Sequence, residues 1–246
     1  MMDDRIQYQL QMASQMLRQG HTRGAIELLK QILGTDPDLA EAHALLSICL
    51  LSDKRVVAAE VEASLALTAD PHDPTAHWAM ARVAVAKRKL EKADEHYEAM
   101  RALAPDSVLT YLELARLRGL QGRPDEARQA LEQARALDPS DPDVLAELSE
   151  AALERGEVAE AERFAREALQ EDAVHTGALV AMGYVHLRRG DMALAREAAI
   201  DAVPANTGGA THGSKPASST PASGGPASAA VPVSAGATPA SSRSGA

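Results

Sequence analysis

Aromatic residues and cysteine are nearly absent from this sequence of 246 residues. Aromatic side chains make up 2% of the chain, and its single cysteine, Cys49, excludes an internal disulfide bond. Cys49 lies in the apolar run LLSICLL, where a small buried thiol is expected. No run of about 18 apolar residues could span a bilayer, and the start MMDDRIQYQL resembles no signal peptide. The sequence therefore predicts a soluble, cytoplasmic protein that does not insert directly into a membrane.

A basic surface and the common catalytic motifs are also missing. The net charge is -10 and every acidic residue precedes residue 204, so nucleic acid is not expected as a partner. No glycine-rich phosphate loop follows a strand pattern, and no serine or cysteine lies in a nucleophile-elbow context. His43 and His77 cannot complete a four-ligand zinc site with one cysteine, so packing between helices is expected for both. The chain is predicted not to be an enzyme, with no catalytic, cofactor-binding or metal site.

What the sequence does contain is a repeat with a period of 34 residues. Abundant alanine, leucine, glutamate and arginine favour close-packed helices. Proline recurs at this interval at Pro37, Pro71, Pro105 and Pro139. Alanine keeps the same interval at Ala25, Ala59, Ala93, Ala127, Ala161 and Ala195. A constant period of this length indicates a helical repeat array, in which each unit packs against its neighbours.

Turn residues divide each repeat into two helices. A glycine that can end the first helix in a left-handed conformation recurs at Gly20, Gly122, Gly156 and Gly190. Lys54 and Arg88 fill the same place in the second and third units, so those turns should be less favourable. Between units, aspartate or serine can cap the next helix, and proline stops the previous one. The fifth unit has Ala173 in place of the proline, and we expect a degenerate copy of the same turn there.

Together these features make the chain resemble the tetratricopeptide repeat. The resemblance rests on leucine or methionine followed by a small residue in the first helix, on the early alanine of the second helix, and on the closing proline. It implies an all-α fold, a right-handed superhelical solenoid of about six antiparallel helix hairpins, over residues 1–203. The units run about 6–39, 40–73, 74–107, 108–141, 142–175 and 176–203.

After Val203 the composition changes to alanine, serine, proline and glycine. Residues 204–246 contain no leucine, isoleucine, methionine, aromatic or acidic residue, and such a segment cannot bury enough apolar surface to fold. The sequence predicts a disordered tail, acting as a flexible linker in preference to a docking motif. A truncated or frame-shifted end is an alternative origin of this segment.

The resemblance also implies a concave groove lined by the first helices. The predicted partner-binding residues are Leu10, Ser14, Arg18, Ile48, Trp78, Arg82, Leu112, Arg116, Tyr184 and Arg188. Trp78 and Arg82 share a helix face and could stack, whereas the alternative is that Trp78 packs between units. Arg82 and Arg116 occupy equivalent places and could hold an acidic peptide, unless nearby glutamates pair with them.

A protein or peptide segment is therefore the predicted partner. The carboxylate clamp that some members of the family use for chaperones is not expected, because the matching places hold Leu10, Ser14 and Leu45 and the sole asparagine is Asn206. The leading hypothesis is a non-enzymatic interaction scaffold or adaptor. The alternatives are a cytoplasmic part of a membrane-associated assembly or secretion factor whose anchor is absent here, and an accessory subunit of a separate enzyme. Self-association through the uncapped last helix is also open.

Overall fold

In the computed structural model, residues 4–203 are described, and within them the chain forms twelve α-helices and no strand. The helices are α1 (Asp4–Arg18), α2 (Thr22–Thr35), α3 (Ala40–Ser52), α4 (Val56–Ala69), α5 (Pro74–Ala86), α6 (Leu90–Leu103), α7 (Val108–Leu120), α8 (Pro124–Leu137), α9 (Pro142–Glu154), α10 (Val158–Glu171), α11 (Thr176–Arg189) and α12 (Met192–Asp201). Consecutive helices pack pairwise as six antiparallel hairpins. This confirms the predicted all-α solenoid. The predicted disorder of residues 204–246 falls outside the described part.

The turn inside each hairpin closes through a residue with positive φ. Glycine takes this conformation in four hairpins, and Lys54 and Arg88 take it in the second and third, each with a φ of 60°. The next residue then donates its N–H five residues back along the chain, as Arg55 does to the Leu50 carbonyl at 2.9 Å. The predicted division of each unit is confirmed. Lys54 and Arg88 hold a conformation that costs an L-residue about 1–2 kcal/mol.

The turns between hairpins are closed by side-chain caps at some helix starts. Asp73 and Asp141 each accept a backbone N–H in the first turn of the next helix, at 2.9 Å. At the start of α7, Ser107 makes no such bond. At the turn without proline, His175 Nδ1 accepts the Ala178 N–H at 3.2 Å and caps α11 in place of an aspartate.

The recurrent alanine lies in the core where neighbouring helices meet. Five of the six copies are buried, and Ala127 is half-buried. In the second and fifth hairpins a serine of the first helix reaches the same place: Ser47 Oγ donates to the Ala59 carbonyl and Ser149 Oγ to the Ala161 carbonyl, both at 2.7 Å. Small residues thus allow the two helices to approach so closely that a serine hydroxyl of one donates a hydrogen bond to a backbone carbonyl of the other.

The spacing between hairpins varies with the residue four positions after that alanine. Ala63 and Ala165 occupy this place in the second and fifth hairpins, and there the flanking first helices, α3 with α5 and α9 with α11, pack directly together. Leu29, Tyr97 and Leu131 occupy it in the first, third and fourth hairpins, where the flanking first helices make little direct contact. The size of the second-helix residue at this place therefore sets the separation of the first helices.

Within residues 4–203 no helix is long and apolar enough to cross a membrane.

Replacing Lys54 or Arg88 with glycine is expected to raise the free energy of unfolding by about 0.5–1 kcal/mol each, because glycine adopts positive φ without the steric cost. Urea unfolding followed by circular dichroism measures the change. Lys30→Gly, in the middle of α2, is the matched control and should lower stability by about 1 kcal/mol. A Lys54→Gly variant as destabilised as Lys30→Gly would contradict the assigned strain.

Candidate functional site

The inner surface of the solenoid is formed by the first helices of the hairpins. A cleft of about 870 Å³ brings Arg18 of α1 together with Asp143 of α9 and Tyr184 of α11. Since residues from the first, fifth and sixth hairpins line the same cleft, the chain curves around it. We call the surface formed by α1, α3, α5, α7, α9 and α11 the inner groove. A second cleft of about 480 Å³ lies between α3, α5 and α7.

The ten residues predicted to line the groove differ widely in accessibility. Leu10, Ile48 and Leu112 are buried in the core, with exposed fractions of 1%, 5% and 3%. These three side chains hold helices together and leave little surface for a partner. The exposed or half-buried members are Ser14, Arg18, Trp78, Arg82, Arg116, Tyr184 and Arg188. For these seven, partner binding stays a prediction.

Trp78 packs between hairpins. It lies against two core clusters, one built mainly by the first three hairpins and one by the third and fourth. This confirms the packing interpretation of the only tryptophan. The predicted stack of Arg82 on Trp78 is wrong, because Arg82 bonds to α7 and the arginine–ring contacts in residues 4–203 are those of Arg135 and Arg163 with Phe164.

Arg82 and Arg116 form a ladder of ion pairs across α5, α7 and α9. Arg82 Nη1 donates to Glu113 Oε1 at 3.0 Å, and Arg116 Nη1 reaches the same oxygen at 3.4 Å. Arg116 Nε donates to Glu147 Oε1 at 2.6 Å. The Glu113 side chain is 3% exposed, so its charge is matched inside the protein. We call Arg82, Glu113, Arg116 and Glu147 the arginine ladder. Pairing with nearby glutamates, the alternative to an acidic peptide site, is thus confirmed.

Tyr97 completes the environment of Glu113. Its hydroxyl donates to Glu113 Oε2 at 2.7 Å, and the side chain is 1% exposed. Burial, and then the Glu113 carboxylate, raise the pKa of Tyr97, so the phenol stays protonated. Burial acts to lower the pKa of Arg116, but Glu147 outweighs it, and the pKa is raised. Tyr97, Arg82 and Arg116 therefore give the Glu113 carboxyl group three hydrogen-bond donors.

The arginine ladder follows the repeat, yet sequence reasoning missed its glutamates. Arg82 and Arg116 each pair with a glutamate 31 residues later, Glu113 and Glu147. Each acceptor lies one helical turn before the next equivalent position of the repeat. Opposite charges at this recurring spacing are the signal that could have found them. At the next equivalent position the charge is reversed, because Glu150 stands where an arginine would continue the ladder.

Acidic side chains continue along α9 beyond the ladder. Asp143, Glu147, Glu150 and Glu154 are spaced by four, three and four residues and so lie on one helix face, which we call the acidic face of α9. His175 Nε2 lies 3.3 Å from Asp143 Oδ1, and Glu147 belongs to the ladder. Within residues 4–203, Glu150 and Glu154 have no hydrogen bond or ion pair. Burial, and then Glu147 and Glu154, raise the pKa of Glu150.

Exposed apolar side chains lie beside this acidic face. Val180 and Tyr184, one turn apart on α11, are 42% and 56% exposed. Both line the cleft of about 870 Å³ together with Glu147 and Glu150. The cleft therefore combines an aromatic ring that the fold leaves exposed with one carboxylate, Glu150, that has no hydrogen bond or ion pair within residues 4–203. We call it the C-terminal cleft.

His43 and His77 are held by contacts with the protein. In each, Nε2 donates to the carbonyl of the proline six residues earlier, at 2.8 and 3.0 Å. The Nδ1 atom of His43 lies 2.6 Å from Glu62 Oε2, and that of His77 lies 3.2 Å from Nδ1 of His96. These contacts confirm the packing interpretation of both histidines.

No group of three histidine, cysteine, aspartate or glutamate residues in the described range is arranged to hold a metal ion.

Comparison with known protein families supports the repeat. One profile of the tetratricopeptide repeat matches residues 16–83 and 120–167, and a second profile of the same repeat matches residues 78–142. Together they cover the chain continuously from residue 16 to residue 167. The structure continues the same hairpin pattern on either side of this range. Among curated proteins, none matches this sequence.

Several solved structures share the fold. A tetratricopeptide repeat protein of Thermus thermophilus is 21% identical, with a TM-score of 0.63, over 80% of this chain and 98% of that one. PilF of Pseudomonas aeruginosa is 19% identical, with a TM-score of 0.58, over 84% and 94%. PilW, described as a type IV pilus biogenesis factor, is 16% identical, with a TM-score of 0.61, over 80% and 91%. At these identities the likeness is one of fold.

Replacing Tyr97 with phenylalanine is expected to lower the free energy of unfolding by about 2 kcal/mol, because the buried Glu113 carboxylate loses a donor that nothing replaces. Urea unfolding of the variant and the wild type measures the difference. Tyr8→Phe, at a side chain that is 63% exposed, is the control and should change stability by less than about 0.5 kcal/mol. Equal effects of the two substitutions would show that the Tyr97 hydroxyl does not stabilise Glu113.

The free energy of unfolding should fall as the pH drops from about 7 to 5, in part because of His96. Burial, and then the neighbouring His77, lower the pKa of His96 below its ordinary value of 6.5. The unfolded chain then binds a proton near pH 6.5 that the folded chain resists, so folding becomes less favourable below that pH. His96→Gln should show a smaller loss across this range. His72→Gln, at an exposed side chain, should keep the wild-type dependence, and a His96→Gln profile that does the same would refute the assignment.

Proposed function

The chain belongs to the tetratricopeptide repeat family, and on that premise we propose that it is a non-enzymatic scaffold that binds a segment of a partner protein in its inner groove. The fold supports protein interaction as the general role. Groove binding, and the adaptor role that it implies, are the parts that we propose.

The exposed side chains of the C-terminal cleft carry this proposal. Val180 and Tyr184 remain accessible although the cleft around them is concave and lined on several sides. An aromatic ring in a concave site can bury much of its surface against a bound segment, and such rings often dominate binding energy. An extended or helical peptide is the partner shape that a long groove accommodates.

The arginine ladder changes how the groove can be tested. Charge reversal at Arg82 and Arg116 would put new carboxylates beside the buried Glu113 and remove the cations that neutralise it. Breaking a buried pair in this way costs about 3–5 kcal/mol, so a loss of partners could reflect unfolding. Direct contact of Arg82 or Arg116 with a partner remains part of the proposal. Exposed residues give the cleaner test.

An assembly factor is the second candidate function. It is supported by one structure of similar fold, which is described as a type IV pilus biogenesis factor. The apolar side chains of α12 and its flank, Met192, Leu194, Ile200 and Val203, are 68%, 46%, 61% and 56% exposed and offer a surface for further subunits or a second copy. A cytoplasmic location belongs to both proposals, and it fits the single cysteine, Cys49, which is buried as predicted and whose pKa burial raises to about 11.

Substituting Val180→Ser and Tyr184→Ala together in the full chain is expected to abolish capture of specific partners from a native cell extract, because the cleft loses its accessible apolar surface. Mass spectrometry of proteins retained by the wild type and by the variant measures this. The capture is run on both soluble and detergent-extracted fractions. Membrane proteins retained only from the detergent extract would favour the assembly factor.

Val57→Ser with Val61→Ser is the matched control. These side chains are 77% and 54% exposed on α4, a second helix, and so test an equally apolar surface away from the cleft. Circular dichroism confirms that both variants fold. Partners that survive loss of Val180 and Tyr184 but disappear with Val57 and Val61 would move the binding surface to α4 and overturn the groove proposal.

A further inference from the structure

The sign of charge changes along one row of equivalent positions in the inner groove. The third and fourth repeats place Arg82 and Arg116 there, and the fifth places Glu150. Each arginine bonds to a glutamate on the following first helix, at 3.0 Å for Arg82 and 2.6 Å for Arg116. Glu150 has no such partner within residues 4–203, and the next equivalent position is Tyr184. The ladder therefore ends with an acid to which no cation of the described residues is bonded, although the charge of Arg116 acts on it.

We propose that the partner segment is cationic, with lysine or arginine side chains on Glu150 and Glu154 and an apolar side chain against Tyr184. This inference rests on the proposed function, and it adds the chemical class of the partner. A guanidinium or ammonium group on Glu150 would form the same kind of ion pair as Arg82 and Arg116 form within the chain, with the carboxylate now at the arginine's place in the repeat. Tyr184, in the same cleft, also offers a ring face to a cation.

Charge complementarity favours a basic segment over an acidic one. Two arginines line the cleft: Arg116 contacts Glu113, Glu147 and Asp143, whereas Arg18 is exposed and makes no ion pair within residues 4–203. Glu150 and Glu154 add unpaired negative charge on the same helix face. An acidic segment in this cleft would meet repulsion without a free cation on α9, whereas a basic one gains attraction that also speeds its encounter.

The surroundings of Glu150 strengthen this argument. Glu147 and Glu154 lie one turn away on either side and repel its charge, and burial removes part of its hydration. Both effects would be relieved by a cation in contact with it. The rest of the repeat region has the same sign, because residues 1–203 contain every acidic residue of a chain whose net charge is -10. Long-range attraction and local pairing therefore favour the same class of partner.

A designed peptide pair tests the proposal on the full chain. The first is a fluorescein-labelled amphipathic helix of about 20 residues, with lysine on one face at helical spacing and leucine on the other. The second replaces every lysine with glutamate. We expect fluorescence anisotropy to show binding of the lysine peptide at least about tenfold tighter than that of the glutamate peptide, and weaker as salt rises.

Charge reversal locates the site. Glu150→Lys with Glu154→Lys should weaken binding of the lysine peptide by at least about tenfold, because two attractive contacts become repulsive. Glu91→Lys with Glu95→Lys changes the net charge equally, at exposed acids with the same spacing on α6, and should change the dissociation constant by less than about twofold. Circular dichroism and urea unfolding verify that both variants keep the fold.

The outcomes separate this inference from the proposed function. Equal loss with both charge reversals would show a nonspecific attraction to an acidic protein and overturn the assigned site. Preference for the glutamate peptide would overturn the assigned charge. Native partners that depend on Val180 and Tyr184 but remain bound to the Glu150→Lys, Glu154→Lys variant would refute the cationic segment while leaving groove binding intact.

Discussion

Close approach of neighbouring helices at small residues is the constraint on which the rest of the structure depends. The residue that follows the recurrent leucine or methionine of each first helix is buried in all six hairpins, and it is alanine, serine or glycine each time: Ala13, Ser47, Ala81, Ala115, Ser149 and Gly183. A larger side chain there would push the helices apart, and a densely packed interior accommodates little added volume. With so few aromatic residues, the chain gains stability from many such short contacts.

The polar features of the groove follow from where this close packing is interrupted. Tyr97 is far larger than Ala63 and Ala165 at the equivalent places, and it separates α5 from α7. The space between α5 and α7 is too wide for short side chains to fill. The long Arg82 side chain bridges it by pairing with Glu113. Tyr97 then donates to the same glutamate. Tyr97 thus separates the two helices and also donates a hydrogen bond to the Glu113 carboxylate that lies between them. A buried charge is tolerated when it is paired and hydrogen-bonded in this way.

The sequence alone predicts the repetitive part of this structure well. Fixed spacing of alanine and proline, and glycine at the hairpin turns, specify helices and turns because each depends on local geometry that recurs in every unit. The partners of Arg82 and Arg116 depend instead on the distance between first helices, and that distance is set by a residue on a second helix. Likewise, Leu10, Ile48 and Leu112 match the pattern of a groove-facing helix, yet neighbouring helices cover them. Ion-pair partners and burial depend on how the helices pack in three dimensions. The 34-residue pattern does not carry that information.

A repeat fold separates the residues that build it from those that face its groove, and this separation explains how charge can vary along the solenoid. The position held by Arg82, Arg116, Glu150 and Tyr184 carries either sign of charge and an aromatic ring in four successive units without disturbing the hairpins. Internal ion pairs neutralise Arg82 and Arg116, and these pairs bridge α5, α7 and α9. Glu150 and Tyr184 remain free for a ligand. Selectivity in this groove then arises where the internal pairing stops, at Glu150, because a carboxylate there takes the place of the earlier arginines and no cation of the described residues bonds to it.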